Sequence, residues 1–418
     1  MNCVSLLLVP TCVFAVASLS AAQEVPAAPP TAASAKTAEA RFEDRDIAVD
    51  RRRLLELAFE ATIRMPVPHE RDRAELQEGV ALAAIDQGQL ALAESYEARM
   101  DDWRRGVVEA RLGLAAVELG HQSLAAKWFT KAARMAEGVA QDADGQIWQR
   151  DRIRALLAIG YKRLGKIEDA LKAAENLTPA EAAHWQEEVA ETLDERTFDM
   201  QLQVIDHAVQ TSDMQTAMNA AGIGARLYDR FYADAAKRER VANRIDAVSK
   251  KMPRQAGVEL LVELGGIAAA HDDTEAAKHW VAQIQERLAN FRMHGEDRMQ
   301  INADIALLLH RAKATQQAID ELHGTIDFFR EHREEIVNLF RADGLAPVAR
   351  AFHLCGAEQA AIATYDLAIE NAELNENARP RAMDLVLIAL SMVDCGFSPP
   401  ERMLERLEKM RARLGDPW

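Results

Sequence analysis

Leu112–Ala136 reads LGLAAVELGHQSLAAKWFTKAARMA. Small residues fall at fixed places in a run of good helix formers. Counting from Gly120, Gly113 lies seven residues before, Ala125 five after, Phe129 nine after and Ala132 twelve after. Two antiparallel helices joined by a tight turn explain the spacing. The small residue in the first helix sits where the second helix crosses it, and the alanine early in the second faces back across that crossing. The glycine between them permits the left-handed turn that ends the first helix.

The same spacing recurs along the chain. Anchored on Gly165 it picks out Ala158, Tyr161 and Ala170; on Asp272, Gly265, Ala268 and Ala277; on Lys313, Ala306, Leu309 and Ala318. Anchored on Gly356 it picks out Ala349, Phe352, Ala361, Tyr365 and Ala368, and weaker copies centre on Gly88, Ser212 and Gly396. The aligned position before the turn falls at residues 81, 113, 158, 205, 265, 306, 349 and 389, so successive gaps are 32, 45, 47, 60, 41, 43 and 40. The gap of 60 predicts an extra helix near Ala233–Lys250. No strand-like alternation competes with the helical period.

These residues resemble the tetratricopeptide repeat (TPR). Leu112, Gly113, Ala116, Gly120, Ala125, Phe129 and Ala132 match its pattern in full; Leu157, Ala158, Tyr161, Gly165 and Ala170, and Val348, Ala349, Phe352, Gly356, Ala361, Tyr365 and Ala368, match it well. The resemblance extends over most of residues 70 to 414. The family repeats about every 34 residues, and only the first gap is near that. Its early tryptophan and closing proline are mostly missing, so the repeat is divergent. The resemblance implies an all-α, right-handed superhelical solenoid of antiparallel hairpins. Unrelated helical-hairpin arrays are the alternative.

Local signals divide the chain. Residues 3–22 carry no charge, and LLLVPTCVFAVASLSAA ends on the small residues Ser20 and Ala22. This reads as an export signal (1–22) cleaved after Ala22, although no Lys or Arg precedes the apolar run. An uncleaved membrane anchor is the alternative; Pro10 and the short apolar stretch argue against it. Gln23–Ala40 is rich in Pro, Ala and Ser, and reads with residue 41 as a disordered linker. Repeats are expected over 42–251 and over 252–418. An opening helix spans about Ile47 to Arg64, Thr178-Pro179-Ala180-Glu181 reads as a capping box, and Met252-Pro253 separates two helices. GFSPPERML restarts a last helix whose charged face suits a terminal cap.

The formal charge of the 418 residues is -16, which argues against nucleic acid as a partner. No metal site is expected: the eleven histidines are scattered, and His271 and His279 are separated by a turn. GIGARL at Gly222 lacks the strand and lysine of a phosphate loop, and no nucleophile elbow or Cys/His signature appears. Runs such as WQEEVAETLDER read as solvated helix faces. No cofactor and no enzymatic activity are expected. Cys355 and Cys395 sit at equivalent places one unit apart, roughly 10 Å in a helical stack, and a disulfide needs Cα atoms within about 7 Å. Two separate thiols are expected. Trp128, Trp280 and Tyr365 are expected to fill the spaces between units.

The resemblance also implies a concave groove lined by the first helices. Counting from the aligned position, groove residues fall one, four and five after it, and three and six before. This gives Arg152, Ala155, Ile159, Lys162 and Arg163 in one unit, Gln300, Ala303, Leu307, His310 and Arg311 in a second, and Asp343, Ala346, Arg350, His353 and Leu354 in a third. Arg152, Lys162, Arg163, His310, Arg311, Arg350 and His353 are therefore the candidate peptide-binding residues. Bases over an apolar floor suit a protein or peptide with acidic groups. The competing reading is that these bases are paired with nearby Glu. Glu78 and Leu82 stand where the family's carboxylate clamp needs lysine and asparagine. The functional expectation is a non-catalytic interaction scaffold, exported to the periplasm or cell envelope and without a membrane span after cleavage. The alternatives are an exported all-helical lyase or glycosidase and a structural or sensory arm of an envelope assembly.

Overall fold

Each repeat is set at its turn. In the computed structural model, which describes residues 41–418 apart from 143–146, 179–180, 183–184, 186–194, 212 and 290–291, seven of the anchors named above have left-handed backbone. Gly88, Gly120, Gly165, Gly356 and Gly396 have φ of +71 to +80°, while Asp272 and Lys313 have +57° and +61°. The turn at Gly120 shows the mechanism. Its N–H donates to the Val117 carbonyl (2.9 Å), and the His121 N–H donates to Ala116 (2.8 Å). Both orphan carbonyls of the helix end are thereby satisfied. The equivalent outer bond recurs from Lys166 to Tyr161, Asp273 to Ala268, Ala314 to Leu309, Ala357 to Phe352 and Phe397 to Met392.

Eighteen α-helices are defined among the described residues, with no β-strand beyond an isolated bridge between Asp44 and Gln89. After α1 (Val49–Ile63) and a short 3-10 turn at Val67–His69 come three hairpins: α2 (Glu70–Asp86) with α3 (Leu90–Glu97), α4 (Arg104–Glu118) with α5 (Gln122–Asp142), and α6 (Ile147–Arg163) with α7 (Ile167–Ala174). α8 (Phe198–Gln210) precedes α9 (Met214–Arg230) and α10 (Ala235–Ser249). Three further hairpins follow: α11 (Arg254–Ala270) with α12 (Thr274–Ala289), α13 (Gly295–Arg311) with α14 (Thr315–His332), and α15 (Asn338–Leu354) with α16 (Glu358–Glu373). The chain ends with α17 (Ala378–Cys395) and α18 (Glu401–Ala412). First helices pack side by side, α2 on α4 on α6, and α9 on α11 on α13 on α15 on α17. This is an all-α helical repeat solenoid. Residues 41–418 belong to one compact unit, and α10 and α11 pack together across the 251–252 division.

The crossings explain the small residues. Ala125, Ala349 and Ala361 are fully buried. A Cβ added to Gly113 on α4 or to Gly160 on α6 would overlap the same ring, that of Phe129 on α5. Phe129 therefore fills the space between two units and meets Tyr161 edge-on at 5.6 Å. Trp128, Trp280 and Tyr365 are also buried. The indole of Trp280 donates to Tyr228 Oη across units (3.1 Å).

One repeat assignment is corrected. Position 205 is an isoleucine on α8, not a small residue at a crossing. Gly224 on α9 takes that role: a Cβ there would sit 2.6 Å from Ile245 on α10. The extra helix expected near Ala233–Lys250 is α10, which forms the hairpin with α9. The capping box at 178–181 includes residues outside those described, as do the signal and linker regions up to residue 40. Cys355 and Cys395 are free thiols, and burial pushes the Cys355 thiol up to about 11.

The ends of the array meet. α1 packs along α17 and touches α18, while α2 also contacts α17. Leu54, Leu55 and Phe59 of α1 are fully buried, and Phe59 stacks on Tyr96 of α3 at 4.0 Å. Arg53 donates to Glu401 and Glu408 of α18, each at 2.8 Å. Exposed ion pairs of this kind add little, so the apolar face of α1 holds the junction. The last helix is thus a partner of the first as well as a water-facing cap.

The seat of Phe129 makes a direct test. Gly160→Val should lower stability by about 1–3 kcal/mol through overpacking, read by chemical denaturation. Gly138→Ala on α5, where nothing lies within 4 Å, should instead raise it by about 0.5–1 kcal/mol through lower backbone entropy in the unfolded chain.

Candidate functional site

All seven bases named from sequence lie on first helices of hairpins. Arg152 of α6 donates to Glu78 of α2, a carboxylate only 5% exposed, which also pairs with Arg104 of α4 at 3.2 Å. Both guanidiniums lie near the Trp103 ring, Arg104 at 4.8 Å and Arg152 at 5.9 Å from its centre. Burial pushes the Glu78 carboxyl above its ordinary range against the pull of both arginines. Arg152 is therefore a strut across three units.

The other bases are engaged as well. Arg163 pairs with Glu118 of α4 at 3.2 Å. His310 and His353 occupy equivalent places in successive units and tie the end of each first helix to the start of the second. His310 Nδ1 lies 3.0 Å from Thr315 Oγ1, and His353 Nδ1 lies 2.7 Å from Glu358 Oε2. Lys162, at the equivalent place in α6, also has a partner. Arg350 and Arg311 act on a different set of groups, the carboxylates of the wall.

Those carboxylates are what reading the bases alone missed. Burial raises Asp304 of α13 to about 6, with Arg350 and Arg311 opposing and Glu259 of α11 adding to the rise. Burial raises Asp394 of α17 to about 6, opposed by Arg350 and reinforced by Asp86 of α2. Asp86 is raised by burial too and pairs with Arg111 of α4 at 3.5 Å. The charge of Arg350 thus acts on both Asp304 and Asp394, Asp86 acts on Asp394, and Asp86 is itself paired with Arg111 of α4. The rule of five residues past the aligned position, used for Arg163 and Arg311, yields Asp86, Glu118 and Asp394 in the units aligned on 81, 113 and 389, and the uncharged Gln210 and Ala270 in those aligned on 205 and 265.

A second acidic group lies toward the starts of α15 and α17. Burial lifts Asp343 to about 6, reinforced by Glu296 and Asp297 of α13. Burial lifts Asp384 to about 8, reinforced by Asp343 and opposed by Asn375, which donates to it at 2.6 Å. Among the described residues no group of three His, Cys, Asp or Glu is arranged to hold a metal ion, and no helix is long and apolar enough to cross a membrane.

A further carboxyl pair is sealed between α3, α4 and α5. Glu97 and Glu109 are 1% and 3% exposed. Arg105 Nε lies 2.6 Å from Glu97 and 3.4 Å from Glu109, and Lys131 Nζ lies 3.6 Å from Glu97. Burial, with the hydrogen bond to Glu97, lifts Glu109 to about 8.

No family model matches the chain, and no curated protein matches it. Seventeen chains of solved structures match. One, described as "Circular tandem repeat protein with novel repeat topology and enhanced subunit contact surfaces", is 16% identical over 88% of this chain and 94% of that chain, with a TM-score of 0.26. At that TM-score the likeness bears on neither shape nor function, and the fold rests on the helices and crossings above.

The raised carboxyls set a pH dependence. Glu109 and Asp384 rise from ordinary values of 4.5 and 3.8 to about 8. Their contribution is complete below the unfolded values, where both states are protonated. It is lost as pH climbs toward 8, because the unfolded chain releases those protons first. Thermal melts should therefore show stability falling from pH 5 to pH 8, and Glu109→Gln and Asp384→Asn should each flatten that fall.

Proposed function

We propose that this chain is a non-catalytic interaction scaffold, exported to the cell envelope, that holds a protein or peptide along the row presented by its first helices. The observation that carries the reading is the coupled row itself. Side chains from α2, α4, α13, α15 and α17 act on one another through Arg111, Asp86, Asp394, Arg350 and Asp304. A row supplied by several repeats supports this reading, since solenoids use surfaces shared among repeats for recognition. The row mixes both signs, so it suits a partner that inserts its own charges between carboxylates and guanidiniums.

Leu354, 38% exposed at the end of α15, sits beside this row, and Leu171, 59% exposed, lies on the second helix α7. A photo-reactive residue at position 354 should cross-link a distinct set of envelope proteins that position 171 does not. Equal sets from the two positions would remove the reading. Export is supported by the uncharged run over residues 3–22. Mass spectrometry of the secreted or periplasmic protein should give Gln23 as the first residue; an intact Met1 would point to an anchor.

A second reading, an all-helical lyase or glycosidase, is favoured by Asp343 and Asp384. Two carboxyls on adjacent first helices, one held near 6 and one near 8, have the divided acidity that acid–base pairs use. Turnover of a glycoside or uronate polymer that disappears in both Asp343→Asn and Asp384→Asn would replace the scaffold reading.

A further inference from the structure

The chain lays an extended segment of its own on the turn between α2 and α3. This arm, Arg41–Asp46, directly precedes α1 and reads RFEDRD. Phe42 is buried and stacks on Trp128 of α5, with ring centres 6.0 Å apart. Two residues on, one carboxylate oxygen of Asp44 accepts from the N–H groups of Ala91 and Leu92 at 2.8 and 3.1 Å, and the other accepts from Arg52 at 2.9 Å. The Arg45 N–H donates to the Gly88 carbonyl at 3.0 Å, and the Arg45 carbonyl accepts from the Gln89 side chain. Arg41, Glu43, Arg45 and Asp46 are exposed. An aromatic ring, a carboxylate two residues later and a short backbone bridge therefore carry the contact. In extended backbone, residues i and i+2 face the same way, so one segment reaches both anchor points.

This turn is built unlike its equivalents. A Cβ added at Gly120, Gly165 or Gly356 would meet nothing within 4 Å, whereas at Gly88 it would lie 2.6 Å from Arg45. Gln89, at the start of α3, makes no capping bond to the helix. The first N–H groups of α3 are answered instead by a carboxylate from outside the hairpin. The lining thus defines what fits it. The N–H groups and Arg52 take a carboxylate, the Gly88 carbonyl takes a backbone N–H, and the face of Trp128 takes an aromatic ring. The buried indole N–H of Trp128 has no acceptor, so the arm does not use every donor that this ring offers. α1 is held by its own buried Leu54, Leu55 and Phe59, so the arm can leave without unseating the helix that follows it.

The geometry points to the α2–α3 turn and Trp128 as a second recognition site, which takes an extended segment of a partner protein bearing an aromatic residue two places before an aspartate, and which residues 41–46 cover in the free protein. The arm competes at the high effective concentration of a short tether, so it sets the threshold that a partner segment must exceed. This site goes beyond the first-helix row, and neither depends on the other.

The test titrates a labelled peptide with the sequence of residues 39–48, EARFEDRDIA, against the full chain by fluorescence anisotropy. It should bind the Phe42→Ser/Asp44→Ser chain, whose own arm no longer competes, at least about tenfold more tightly than the unaltered chain. Peptides carrying asparagine for the aspartate of position 44, or serine for the phenylalanine, should each bind that variant about tenfold less tightly. Adding Arg52→Gln to the variant should weaken the parent peptide about fivefold. Melting curves check each fold. Phe42→Ser alone leaves the cap of α3 in place, should give the same order with a smaller gap, and serves where the double variant melts early. Equal binding to the unaltered and variant chains, equal binding of a scrambled peptide, or no binding to a folded variant would overturn the proposal. A dimer of the unaltered chain that the variant loses would make the occupant the arm of a second copy and overturn it too. If the peptide fails while cross-links from position 354 persist, this site falls and the scaffold stands.

Discussion

The structure depends on how closely two helices can approach. Gly113 and Gly160 leave room for one phenyl ring, and that ring joins two hairpins into a stack. Ala125 faces the Gly113 crossing from α5, and Ala349 and Ala361 do the same work in a later hairpin, each without any exposed surface. Where the backbones touch, dispersion contacts and apolar burial act together, and a single added methyl group has nowhere to go. The order of first helices, and hence the row of side chains they present, follows from this contact.

Much of that arrangement was readable in the chain because its signals are local. A left-handed turn residue and two small residues at fixed offsets lie within about one hairpin of each other, so their spacing survives as a pattern. Even Asp272 and Lys313, which carry a side chain into a left-handed backbone, stand where the offsets put them. The pattern failed at position 205 because the offset alone was counted there, while Gly224 marks the true crossing. The candidate site was less legible. Arg152 looks like a free base until Glu78, 74 residues earlier, is seen beneath it. Ion pairs between units depend on which helices become neighbours, and no local period encodes that.

The wall of first helices shows how an acidic chain manages its charge. Carboxylates crowd into partly dry surroundings, where desolvation works against their ionised form. Arg350 and Arg311 offset part of that cost for Asp304, and Arg350 does the same for Asp394. Asp384 has only an amide partner and sits highest of the group on the wall. Such a surface responds to any ligand that brings a cation or displaces an arginine, since either would change how many protons the wall holds.

The packing of α1 on α17 has a consequence for how the protein is made. Most helices find their partner a few residues away and can fold as soon as a hairpin emerges. α1 can meet α2 and Tyr96 of α3 early, but the part of its apolar face that packs on α17 stays uncovered until a helix more than three hundred residues downstream has been made. Closing that junction is a late step, and a product truncated before α17 would keep part of α1 exposed for quality control to recognise.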